Sequence, residues 1–121
     1  MFFEVKRSED GTTLFVRDGK DTPWTLPGGV PERDYRNYTA FAQESLESVY
    51  DGCSILSVDE KMVLESGLMR CSVFACSIIG VPREAMLYRM RFFDIQNVTS
   101  YMVPSGMSRV IEALQKLNRP P

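Results

Sequence analysis

The segment Trp24-Thr25-Leu26-Pro27-Gly28-Gly29-Val30 restricts the fold of this 121-residue chain more than any other. Proline fixes φ and the paired glycines open the positive-φ region, so the chain must turn sharply and its backbone can come close to another group. A helical run from about Asn37 to Tyr50 follows, with Asn37 or Asp34 as its cap and Gly52 as a C-terminal stop. Its apolar stripe is Ala42, Ser45, Leu46 and Val49, at i, i+3, i+4 and i+7. Glu44, Glu47, Ser48 and Asp51 fall on the other side, so the expected helix has a core face and an acidic face.

The rest of the chain reads mostly as strands. Phe2 to Lys6 is short, apolar and aromatic, and Thr12 to Val16 alternates. The Asp10-Gly11 turn between them is a hairpin signal. Beyond Gly52, Ser54 to Val58 and Lys61 to Leu64 are expected strands around Asp59-Glu60. Leu68 to Ile79 is long and apolar and suits a central strand. Gly80 to Glu84 reads as a loop, Ala85 to Phe93 as a strand, and Asp94 to Tyr101 as a turn or short helix. A final helix opens at Ser105 or Ser108 and runs through Leu117, with Met107, Val110, Ile111, Leu114 and Leu117 on its apolar side. This order predicts one α/β domain over residues 1–121, a mixed β-sheet between helices in an α/β/α sandwich.

Composition removes whole classes of chemistry. There is no histidine, hence no histidine base, no Ser-His-Asp triad and no His-ligated zinc. The formal net charge of -2 does not describe a strongly basic nucleic-acid domain, although local patches remain open. Cys53, Cys71 and Cys76 lack metal-ligand spacing and read as reduced, buried thiols. No apolar run approaches the roughly 20 residues of a membrane span. Met1 to Arg7 has neither the long apolar region of a signal peptide nor the bias of a transit peptide. The expected location is the cytoplasm, or an organelle after removal of a targeting segment.

Trp24, Leu26, Pro27, Gly28 and Gly29, with the glutamates that follow, resemble the Nudix box, G-x5-E-x7-R-E-U-x-E-E-x-G-U, where U is bulky and apolar. Counted from Gly29, Glu44 stands at the glutamate beside the arginine and Glu47 at the first glutamate of the pair. The other places differ: Tyr35 for the loop glutamate, Gln43 for the arginine, Ser45 for the bulky residue, Ser48 for the second glutamate and Tyr50 for the glycine. Arg91 to Val98 looks like the family's closing segment. The resemblance covers nearly the whole chain in element order and is motif-specific from Trp24 to about Gly52.

This resemblance implies a Nudix-type α/β/α sandwich. It implies Glu44 and Glu47 as catalytic residues and as ligands of Mg²⁺ or Mn²⁺; Asp34, presented by a loop shifted one place from Tyr35, and Asp51, i+4 from Glu47 and i+7 from Glu44, are candidate further metal ligands by position. It places Gly28, Gly29, Arg17 and Tyr35 at the substrate, with Lys20, Arg33 and Arg36 flanking the cleft. The substitutions imply a degraded box. The domain would then bind a nucleotide, a diphosphate-linked small molecule, an RNA end, or a protein partner such as a second copy, with weak or no hydrolysis. The alternative is an active Mg²⁺-dependent pyrophosphohydrolase of nucleoside diphosphates linked to another group. Without the box, Glu44 and Glu47 would read as a solvated helix face, Trp24 as core, and Tyr35 and Tyr38 as covers of a core edge.

Overall fold

A computed structural model describes residues 1–30, 38–66 and 69–119. Strands β1 (Phe2–Val5) and β2 (Thr13–Val16) precede helix α1 (Tyr38–Glu47). Two long strands follow, β3 (Tyr50–Ser66) and β4 (Met69–Pro82), then the short strand β5 (Met90–Phe93) and helix α2 (Ser105–Leu117). β4 is central in a three-stranded mixed sheet, parallel to β1 and antiparallel to β3, while β2 and β5 form a second, antiparallel pair. Trp24 to Gly28 runs beside both sheets, bridged from Thr25 to Val16 and from Gly28 to Phe2.

Period-two alternation divides the strands between two cores. Phe3, Val5, Leu14, Phe74 and Cys76 pack with Phe41, Ala42 and Leu46 of α1. Phe15, Leu26 and Val73 pack with Met107, Val110, Ile111 and Leu114 of α2. Side chains of successive strand residues point to opposite faces, so a strand covered by a helix on each side must be apolar at nearly every position. The expected α/β/α sandwich is therefore present. Among the described residues, no helix is long and apolar enough to cross a membrane.

Several element boundaries differ from the sequence reading. Asp59-Glu60 is not a turn; the two expected strands are one, and Asp59 and Glu60 pair with Ala75 and Phe74. The register slips between Asp51 and Ser54, at Leu56 and again at Lys61, and each extra residue reverses which face the following side chains take. Ile55 and Val58 thus both meet the α1 core, whereas Met62 and Leu64 meet the α2 core. The expected hairpin at Asp10-Gly11 is a turn closed by the single bridge Lys6–Thr13, because β1 continues beside β4 and β2 beside β5. Gly80 to Pro82 belongs to β4 rather than to a loop. Glu84–Arg89 is a 3₁₀ helix with no buried residue, and β5 starts only at Met90, where Val16 becomes available for pairing. Leu117 is exposed, since Asn118 occupies the next place in the α2 stripe and turns inward.

Asn118 meets a buried charge. Glu4 is 3% exposed and points to the α2 side of β1. Lys61 Nζ lies 2.6 Å from Glu4 Oε1, Asn118 Nδ2 donates to Glu4 Oε2 at 3.1 Å, and Lys6 Nζ stands 4.0 Å away. Asn118 Oδ1 in turn accepts from both lysines. Without the slip Lys61 would stand opposite Val73 and still face α2; the extra residue brings Met62 to that face beside it. Stripping one partner from a buried pair leaves a charge with no compensation. Lys61→Ala is expected to lower the unfolding free energy by about 3 kcal/mol, and Lys6→Ala by less than about 1 kcal/mol, as read from urea denaturation. Equal losses in the two variants would show that Lys61 is not the principal partner.

Candidate functional site

Gly28 and Gly29 have φ of 123° and 131°, values that side chains rarely adopt. A Cβ on Gly28 would lie 2.3 Å from the Met1 carbonyl oxygen, whereas one on Gly29 would meet open space. The Gly29 N–H donates to Met1 O at 2.7 Å, and the Met1 amine donates back to Gly29 O at 3.1 Å. Phe3 N–H also donates to Pro27 O, at 2.9 Å. The close approach that these glycines permit is therefore to the start of β1.

Helix α1 follows, and its expected caps Asp34 and Asn37 lie outside the described residues. So do the proposed ligand Asp34, the proposed substrate contact Tyr35, and Arg33 and Arg36. Glu44 and Glu47 are exposed, three residues apart on the outer side of α1. Gln43 fills the arginine place and donates from Nε2 to the Cys53 carbonyl, tying α1 to β3. Ser45 is half-buried and donates to the Phe41 carbonyl at 2.8 Å. Burial pushes the Cys53 thiol up, and the charge of Glu47 adds to the shift.

Asp51 does not continue the acidic face. The helix ends at Glu47, Val49 N–H closes the turn onto Leu46 O, and Asp51 lies in β3 opposite Val81. Its expected helical spacing to Glu44 and Glu47 is thereby lost. Among the described residues, no three acidic, cysteine or histidine side chains gather closely enough to hold a metal ion. Mg²⁺ is usually held by one or two carboxylates together with substrate phosphates. Glu44 and Glu47 meet that minimum, and the described residues do not build a larger resident centre around them.

Arg17 occupies a more organised setting. Its Cζ lies 4.1 Å from the centroid of the Trp24 ring. Its Nε donates to the Tyr88 carbonyl at 2.7 Å, and its backbone N–H to the Arg89 carbonyl at 2.9 Å. Trp24 is held from behind, with its ring meeting Phe93 edge-on at 5.5 Å and its backbone N–H donating to Met102 O at 2.8 Å. Among the described residues no carboxylate pairs with Arg17, and its two terminal amino groups make no hydrogen bond. A guanidinium fixed by stacking and by Nε still presents those amino groups to a phosphate or carboxylate. Sequence reasoning named Arg17 but missed that Trp24 and Tyr88 hold it. The only signal was an arginine and a tryptophan at the two ends of one polar loop. Tyr38 stacks on Phe74 with 4.4 Å between centroids and so covers the core edge.

Solved structures share this architecture. A MutT from work on the Aliivibrio salmonicida and Vibrio cholerae proteins matches with a TM-score of 0.69 and 16% identity, over 96% of this chain and 94% of that one. A nudix hydrolase family member from Chromobacterium violaceum matches at 0.65 and 12% identity, over 98% and 78%. A UDP-X diphosphatase matches at 0.55 and 16% identity, over 98% of this chain and 62% of its own. The likeness establishes the fold: this chain has the Nudix fold. No family model matches the sequence, and a search of curated proteins returns no match.

The two glycines are expected to respond differently to a methyl group. Gly29→Ala meets only backbone strain, about 1–3 kcal/mol. Gly28→Ala adds a collision with backbone and should cost more. Chemical denaturation of the two variants checks the order, and equal losses would remove the Met1 contact as the reason for Gly28.

Proposed function

We propose that this chain is a single Nudix-fold domain that binds a phosphorylated or diphosphate-linked ligand, with hydrolysis weak or lost. The fork at Arg17 carries this reading: a guanidinium clamped between Trp24 and the Tyr88 carbonyl, with terminal donors that no described carboxylate uses. Ordering an arginine costs side-chain entropy, and here the stack has already met that cost before any ligand arrives. A planar fork held in this way suits two phosphate oxygens at once. The neighbour that acts as a UDP-X diphosphatase supports the same ligand chemistry.

The weakness of hydrolysis rests on the acids. Gln43, Ser48 and Tyr35 stand where the box has charged groups, and Asp51 belongs to β3 rather than to the helix. Each positioned catalytic group is typically worth ~10²–10⁴ in rate, so several losses together leave little. The rival reading, a working hydrolase, draws on Glu44 and Glu47, which share one exposed helix face.

Binding and turnover separate these readings. Pyrophosphate at 100 times its dissociation constant should add ~2.7 kcal/mol of stability, visible as a thermal shift. Arg17→Ala should abolish the shift and Arg17→Lys should greatly weaken it, because lysine keeps the charge but loses the fork. With Mg²⁺ or Mn²⁺, nucleoside diphosphates linked to another group should be split to nucleoside monophosphate no faster than in buffer. Turnover that disappears in Glu47→Gln would establish the hydrolase instead, and an unchanged pyrophosphate shift in Arg17→Ala would remove the fork from the site.

A further inference from the structure

The elements that hold the Arg17 fork also carry aromatic and basic groups that a lone diphosphate would not use. Tyr101 is 97% exposed, the extreme among the large apolar and aromatic residues described as exposed. It sits in a turn closed by Met102 N–H donating to Thr99 O at 3.1 Å, between the buried anchors Val98 and Val103. The turn also touches the fork's support, since Met102 O accepts from Trp24 N–H. Tyr88, whose carbonyl holds Arg17, is 42% exposed. On β5, Arg91 places its Cζ 5.3 Å from the centroid of the Phe93 ring that supports Trp24. Arg91 is exposed, and no described carboxylate pairs with it.

We infer that this surface binds single-stranded nucleic acid, with Arg17 and Arg91 on phosphates and Tyr101 and Tyr88 stacking on unpaired bases. The inference rests on the reading of Arg17 as an anion fork and extends it along the surface. Two features favour this ligand. Exposing a whole tyrosine ring is unfavourable in water and becomes favourable against the face of a base. Two arginines supported on aromatic rings provide cations without a net basic domain, which fits the overall charge of -2. With few phosphate contacts, stacking supplies most of the affinity and every base has a face to stack.

Trp24 is the only tryptophan of the chain and so reports on its own site. An oligouridylate of ten nucleotides is expected to quench Trp24 fluorescence saturably. Two phosphate contacts give a salt slope of about -1.4, so binding should weaken about sevenfold from 50 to 200 mM salt. Tyr101→Ala should weaken oligonucleotide binding roughly tenfold while leaving the pyrophosphate thermal shift unchanged. Arg91→Ala should roughly halve the salt slope. A fully paired duplex RNA should compete poorly, because its bases are already stacked. Both altered side chains are exposed, so the fold tolerates either change. If pyrophosphate binds through Arg17 but the oligouridylate does not quench, or binds Tyr101→Ala unchanged, the nucleic-acid inference fails and the smaller ligand stands. Equal competition by duplex also overturns it. If neither ligand binds, both readings fall together.

Discussion

The structure depends on one strand, β4, being covered on both faces around Val73 and Phe74. Val73 of β4 is buried toward α2 and Phe74 toward α1, with β1 on one edge and β3 on the other. Such a strand has no polar position to spare, which is why the run from Val73 to Cys76 carries no charge. Because β1 lies parallel to β4, the chain cannot return to it by a hairpin. It must travel through β2, α1 and β3 first, and that excursion contains the Pro-Gly-Gly turn and the glutamate helix. The site segments are therefore loops and a helix hung on a crossover that the parallel pairing requires.

The second constraint is electrostatic. A carboxylate at Glu4, on a strand covered by α2, is costly unless it is neutralised in place. The molecule meets this with Lys61 of β3, at an irregularity that brings Met62 to the same side. The C-terminal end of α2 contributes Asn118, which bonds the carboxylate and both lysines. One buried charge thus ties β1, β3 and the end of α2 together. The slips at Leu56 and Lys61 have a further effect, since they break the regular row of backbone groups along an edge strand and blunt it against pairing with another chain.

These two constraints mark what the sequence made legible. The central strand was readable because burial on both faces leaves an uninterrupted apolar run. The last helix was readable because Met107, Val110, Ile111 and Leu114 keep helical spacing. β3 was misread as two strands around Asp59-Glu60, because the extra residues at Leu56 and Lys61, two of the three irregularities in β3, reversed the facing of its apolar positions and imitated a turn. Asp51 was placed with Glu44 and Glu47 by continuing a helical period past the point where the chain had become a strand. Neither error could be avoided without the pairing partner, since register is a property of two strands. The buried Glu4 left no mark in sequence, because Lys61 and Asn118 lie 57 and 114 residues away from it.

The Pro-Gly-Gly turn has a reason to exist that does not involve catalysis. Gly28 is needed where the backbone passes the Met1 carbonyl, and that need is the same whether or not an ion ever binds near Glu44. The lead-in is therefore a statement about how the loop packs on β1, and it carries no information about the acids that follow. Trp24 differs, because it belongs to the same lead-in yet turns its ring to Arg17, whose terminal donors no described residue takes up. Packing alone would be served by an aliphatic residue against Phe93. An aromatic face that orients a cation beside exposed tyrosines has its simplest physical explanation in a ligand that carries both negative charge and flat rings.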